Sequence, residues 1–229
     1  MNTIKSLTER VLRVLNSGAI PRDSRFKDRD IEYMLRDGLG TLILNSWSTA
    51  RSLKEGMDVA DTFVVTVTKP VQLSSRNDCY IDLDFDWINI PDGTGVRAVR
   101  PSIGSVNPLS LQVPGYSAFI PIPERFFDIY KNLPAESLEG QIGWALRGKR
   151  VWLTDLYGQN LVNDLGIESC DIDVISTSDN VIGLDSTIPI TSDMAEELVK
   201  KTVAFFMPGM ATIKDTLNDN NPNSKPLKS

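Results

Sequence analysis

The sequence predicts an α+β protein in which N- and C-terminal helices pack as a small helical bundle, with an inserted antiparallel β-sheet or small barrel unit. Three observations carry this. Apolar residues recur at helical spacing in the first quarter of the chain and again from about residue 191, whereas from about residue 61 the period shortens to two. Glycines and prolines crowd into one stretch of the β region, 91–115. Helices at both ends of a chain that flank a β insert find their simplest burial against each other. The 229 residues divide accordingly into N-terminal helices (1–58), an antiparallel β-unit with long loops (59–190), C-terminal helices completing the bundle (191–217) and a polar tail (218–229).

The elements follow in order. Ile4, Leu7, Val11, Leu12, Val14 and Leu15, mostly at helical spacing, mark a short first helix that stops at Asn16-Ser17-Gly18. A longer helix, which Asp28 or Asp30 can cap, runs from about Asp28 to about Leu53; Ile31, Met34, Leu35, Leu39, Leu42, Ile43 and Trp47 give it a wide apolar face. Gly38 and Gly40 inside it each cost up to about 1 kcal/mol against alanine, so a neighbouring element is expected to approach closely there.

Strands are expected at Phe63–Thr68, at Cys79–Asp86, where apolar and acidic residues alternate, at about Val96–Val99, at Tyr116–Ile122 and at Cys170–Ile175. Gln141–Leu146 and Arg150–Leu153 flank Arg147-Gly148-Lys149, the clearest hairpin in the chain. From these seven segments an antiparallel β-unit of roughly five or six strands is expected. Trp144 and Trp152 flank the hairpin, with core packing as the default and an interface as the competing use. Glu124–Tyr130 reads as one or two helical turns. Asp193 and Glu196 suit a capping box for a helix bearing Met194, Leu198, Val199, Val203, Phe205 and Phe206, stopped or kinked at Pro208; Met210, Ile213 and Leu217 suggest a second short helix. The Asn- and Pro-rich tail lacks the apolar surface to order itself without a partner.

Composition excludes several chemistries. There is no histidine, so the usual general base near neutral pH, the triad base and the commonest transition-metal ligand are missing. Cys79 and Cys170 stand far apart, with neither a redox CxxC nor a zinc knuckle, which indicates a reducing cytoplasm or indifference to redox rather than a disulfide scaffold. No apolar run is long enough to span a bilayer, and the start, Met1 to Ser6, turns charged too soon for a secretory leader. Neither a catalytic, a cofactor nor a metal site is predicted. Gly93-Thr94-Gly95-Val96-Arg97-Ala98 fits a dinucleotide fingerprint, but Pro101 and Gly104 follow where a helix is required, so it reads as a loop. Asp82, Asp84 and Asp86 with Asp171 and Asp173 read as a solvated acidic sheet face rather than a calcium or magnesium site. A paired-carboxylate glycosidase is the hydrolase design that survives without histidine, with Glu124, Asp128, Glu136 and Glu139 as candidates.

Charge is uneven. Residues 1–54 hold 10 Lys+Arg against 6 Asp+Glu, and residues 55–229 hold 14 against 24. Arg22, Arg25, Lys27 and Arg29 are interleaved with Asp23, Asp28 and Asp30 and read as a solvated helix entry. The acidic remainder disfavours a sequence-specific DNA binder.

The long helix beginning Phe26-Lys27-Asp28-Arg29-Asp30-Ile31, the loop-rich β-unit with Trp144–Leu153, the returning helix Asp193–Lys201 and the Asn/Pro tail together resemble the head-to-tail connector, or adaptor ring, proteins of short-tailed bacteriophages, the crAss-like group included. The resemblance implies a virion structural protein rather than an enzyme. It would be made in the host cytoplasm, assemble as a ring, commonly of twelve copies, and sit between the portal and the next tail or ring protein, with no membrane partner and no cofactor. It implies a portal-docking tail including Asn220, Pro222, Lys225 and Leu227, and a loop, with Pro91, Arg97, Arg100, Pro108 and Pro114, that meets a neighbouring subunit or the next ring. It also makes Asp82, Asp84 and Asp86 candidates for the wall of a conduit through which genomic DNA passes without sequence-specific contact. A virion-associated glycosidase and a monomeric binding module are the alternatives.

Overall fold

In the computed structural model, the residues described are 2–18, 26–52, 63–89, 95–102, 118–132, 138, 141–156, 158–188 and 190–207. Among the described residues, four helices and eight strands in two sheets make this an α+β protein. The chain forms two compact units, one of residues 1–45 and 183–229 and the other of residues 46–182.

In the first unit, α1 (Ile4–Leu15) starts at a reciprocal cap. The Thr3 hydroxyl accepts from the Ser6 N–H at 3.1 Å, and the Ser6 hydroxyl accepts from the Thr3 N–H at 3.0 Å. Its Ile4, Leu7, Val11 and Leu15 are buried, and α1 packs on α4 (Ser192–Phe206). In α2 (Asp28–Ser52), Asp28 and Asp30 occupy the first turn, where negative charge complements the free N–H groups, and Ile31, Leu35, Leu39, Leu42 and Ile43 are buried. Gly38 does permit a close approach: a Cβ built there would stand 2.6 Å from Leu198 Cδ1 of α4.

The cap of α4 is Thr191, whose hydroxyl accepts from the Met194 N–H at 3.3 Å, two residues before the expected Asp193. The helix ends at Phe206, just before Met207-Pro208, as the restriction on a residue preceding proline dictates. Residues 183–190, read from the sequence as the end of the β region, group with the helices because backbone bonds hold them to the chain's start. Lys5 N–H donates to Leu184 C=O at 3.0 Å, and Ile188 N–H to Asn2 C=O at 2.8 Å. The expected helix around Met210–Leu217 and the tail lie outside the described residues.

In the second unit, β1 (Val64–Pro70), β8 (Ser169–Ile175) and β4 (Val96–Pro101) form an antiparallel sheet in the order β1-β8-β4. The other sheet has the order β2-β3-β7-β6-β5, from β2 (Gln72–Leu73), β3 (Cys79–Asp82), β5 (Ile120–Pro121), β6 (Gly143–Arg147) and β7 (Arg150–Leu153). The expectation of five or six purely antiparallel strands is corrected on two points. There are eight short strands, and β5 pairs parallel to β6. The predicted Tyr116–Ile122 strand is represented by β5 alone, with residues 116 and 117 outside the described set.

The sheets are joined at both margins, at one by the chain itself and at the other by a backbone bond. Pro70 ends β1 and the chain passes directly into β2, with Val71 N–H donating to Glu168 C=O at 2.8 Å on the way. On the other side, Phe119 N–H reaches Val99 C=O of β4 at 2.7 Å, one residue before β5 begins. Pairing therefore runs most of the way around one core, which includes Ile81, Val99, Trp144, Val151, Ile172 and Val174. Each such side chain contributes about 1.5–3 kcal/mol of burial.

The predicted hairpin is β6–β7, and Gly148 takes the left-handed conformation (φ 58°) that its tight turn demands. Trp144 pairs with Leu153 and Ala145 with Trp152, so the two tryptophans point to opposite faces. Trp144 lies in the core. Trp152 is half-buried on the outer face, 5.3 Å from the Tyr80 ring, beside a small cluster built from Ile122, Ala145 and Phe127 of α3 (Glu124–Asn132).

Candidate functional site

The acidic residues singled out from the sequence lie on outward-facing positions, and each has a cationic or hydroxyl partner. Along 79–86 the odd-numbered Cys79, Ile81, Leu83 and Phe85 are buried, which leaves Asp82, Asp84 and Asp86 outside. Asp82 meets Arg150 at 2.7 Å across the β3–β7 pair, Asp84 meets Lys69 at 2.6 Å, and Asp86 meets Lys149 at 2.8 Å. Lys69 threads its stem over the Phe85 ring, with the amine 5.7 Å from the ring centre, before reaching Asp84. Its hydrogen bond holds the Asp84 carboxyl below the usual range. These carboxylates form a face of alternating sign, so any repulsion of DNA by it comes from net charge over a wider area.

On the three-stranded sheet, Asp171 accepts from Thr68 at 2.7 Å, and Asp173 accepts from Thr66 at 2.6 Å and from Arg100 at 2.9 Å. Arg97 and Arg100, expected on the partner-contacting loop, are strand residues of β4. Arg100 pairs in register with Asp171 and reaches diagonally along the same face to Asp173. Pro91, Pro108 and Pro114 of the loop, and Asn220, Pro222, Lys225 and Leu227 of the tail, lie outside the described residues.

The fingerprint glycines do not precede a helix. Gly95 leads directly into β4, so there is no helix N-terminus to hold a pyrophosphate. Glu124 and Asp128 face one cation rather than a substrate-sized gap: Arg147 Nη2 lies 2.9 Å from Asp128 Oδ2 and its Nε 3.9 Å from Glu124 Oε1. Arg147 holds the Asp128 carboxyl below its ordinary value, the opposite of what a general acid requires. Glu136 and Glu139 lie outside the described residues. Among the described residues, no group of three or more Cys, Asp or Glu side chains could hold a metal ion.

Two surface features were missed in the sequence. The hairpin tip, with Arg147, Lys149 and Arg150, supplies a cation to α3, to Asp86 and to Asp82 respectively. Its signal was there in Arg147-Gly148-Lys149-Arg150, three cations around one turn. The second feature is the outer side of α3, where Phe126 and Ile129 stay 38% and 54% exposed while Phe127 is buried. Their i, i+3 spacing puts them on one side of the helix.

No family model matches the chain and no curated protein matches it. No helix among the described residues is long and apolar enough to cross a membrane.

Proposed function

We propose that the chain is a virion structural protein, a ring-forming head-to-tail connector that docks on the portal and forms part of the DNA conduit. The observation that carries this reading is the grouping of helices from both ends of the chain in one unit, with the β-unit as the sequence inserted between them. That is the layout on which the resemblance to phage connectors rests.

Charge supports the reading. The β-unit, residues 46–182, holds eleven Lys and Arg against eighteen Asp and Glu. Its net charge repels a passing duplex, while the pairing of Asp82, Asp84 and Asp86 with cations leaves this outer face without a strong local field. In this reading the protein sits in the neck of the virion, self-associates, commonly as a dodecamer in such connectors, and meets the portal on one side and the next tail or ring protein on the other. The segment with Asn220, Pro222, Lys225 and Leu227 docks on the portal.

Electron microscopy of the purified protein, alone and mixed with its portal, tests the proposal. Closed rings, or rings that form only with the portal, support it, and a monomer indifferent to the portal refutes it. Truncation after Leu217 tests the docking segment separately, since unchanged portal binding removes that part alone.

A further inference from the structure

The alternation of Cys79–Asp86 outlasts the strand it predicts. The strand β3 stops at Asp82 because its partner β7 begins at Arg150, directly opposite, and the hairpin has turned away by Gly148. Leu83 N–H makes a last bond to Lys149 C=O at 2.9 Å, and the chain then crosses to the other sheet, where Ile88 N–H donates to Ile175 C=O at 2.8 Å. Among the described residues, no N–H of Asp84, Phe85, Asp86 or Trp87 finds a backbone carbonyl. Side chains hold the crossing instead. The Asn180 amide donates to Asp84 C=O at 2.9 Å and the Ser176 hydroxyl to Asp86 C=O. Lys69 and Lys149 hold its two carboxylates, and Leu83 and Phe85 sit inside the core shared by the sheets.

The far end of the crossing rests on a glycine. A Cβ built at Gly95 would stand 2.3 Å from Ile88 O and 2.8 Å from Trp87 Cδ1, and the first of these is backbone that cannot swing aside. The second glycine of the fingerprint-like Gly93-Thr94-Gly95 is therefore required by the approach of another chain segment, where a nucleotide site would require it for a phosphate.

We propose that Leu83–Ile88 is a latch that opens as one unit, lifting Phe85 out of the core while both sheets keep their ladders, and that Gly95 is the seat on which it closes. Opening it breaks two backbone bonds and a few side-chain contacts, whereas unfolding either sheet breaks its whole ladder, so the latch lies lower on the scale of opening energies.

Native-state hydrogen exchange on the full chain tests this. The amides of Leu83 and Ile88 are expected to share one opening, to exchange at least about a hundredfold faster than the central amides of β8, and to respond more weakly to denaturant. Asp173→Asn, which weakens the three-stranded sheet away from the latch, is expected to speed the β8 amides and leave Leu83 and Ile88 unchanged. Gly95→Ala, which crowds only the closed latch, is expected to speed Leu83 and Ile88 together by about five- to a hundredfold. The latch is overturned if Leu83 and Ile88 accelerate with β8 in Asp173→Asn, or exchange independently of each other. Unchanged exchange in Gly95→Ala removes the seat. Should Gly95→Ala fail to fold, the wild type and Asp173→Asn decide between latch and no latch.

Discussion

Arg100 meets the carboxylate of Asp173 with both terminal guanidinium nitrogens, Nη2 lying 2.9 Å from Oδ1, and so joins β4 to β8 across the outer face of the three-stranded sheet. Thr66 on β1 donates to the same oxygen at 2.6 Å. Burial alone would raise the carboxyl's pKa, but the hydrogen bonds from Arg100 and Thr66 outweigh it and hold the group below the ordinary value. A depressed folded value means that the linked stability is present above the unfolded value of about 3.9 and disappears as the pH falls through the folded one. Asp173→Asn is predicted to cost about 1–2 kcal/mol at neutral pH, with the gap closing in acid as the carboxyl becomes protonated in the folded as well as the unfolded protein. Urea unfolding of both proteins across this range measures it, and a gap that does not depend on pH contradicts the assignment.

The closeness of α2 and α4 at Gly38 predicts a graded response to side-chain size. Alanine gains about 1 kcal/mol of helix propensity and meets only the flexible tip of Leu198, so Gly38→Ala should stay within about 1 kcal/mol of the parent. Gly38→Val adds two methyl groups against the same neighbour and should cost about 1–3 kcal/mol. Thermal unfolding of the two variants checks the contrast. Equal stability would mean that Leu198 has room to withdraw.

The cap of α4 is tested by a pair of substitutions. Thr191→Ala should lose about 1 kcal/mol, because the Met194 N–H loses its acceptor, while Glu196→Ala, removed from the cap, should change stability by less than about 0.5 kcal/mol. If the loss follows Glu196 instead, the helix begins where the sequence pattern first placed it.

Both thiols should resist modification. Cys79 and Cys170 are fully buried. Burial pushes the Cys170 thiol up to about 12 and raises that of Cys79 as well. At mildly alkaline pH almost none of either is thiolate, the reactive form. Alkylation of the native protein is predicted to proceed only through unfolding, so its rate should rise with denaturant; a fast, denaturant-independent phase would show one thiol to be accessible.

Much of the fold was legible because burial imposes a period. The five buried apolar positions of α2 among the described residues and the alternation of β8 could be read directly from the order of residues. The same rule failed at Leu83–Asp86, where the alternation is real but the strand is not, because periodicity reports which side chains face the core and says nothing of a partner strand. The cap of α4 was missed because Asp193 and Glu196 have capping-box spacing too. Thr191, with extended backbone (φ −69°, ψ 163°), caps the helix instead. The acidic positions were correctly read as an outer face, but the cations neutralising Asp82 and Asp86 come from a hairpin more than sixty residues further along, and no local pattern announces such a pairing. Arg100 was read as part of a loop because the strand expected at about Val96–Val99 stops one residue before it, whereas β4 runs on to Pro101.

The central claim is that this chain builds a ring on a portal, and its most direct test is electron microscopy of the purified protein with and without that portal. The account predicts closed rings, either in the protein alone or when the portal is added. Particles that remain single copies of about 25.4 kDa in both samples would contradict it.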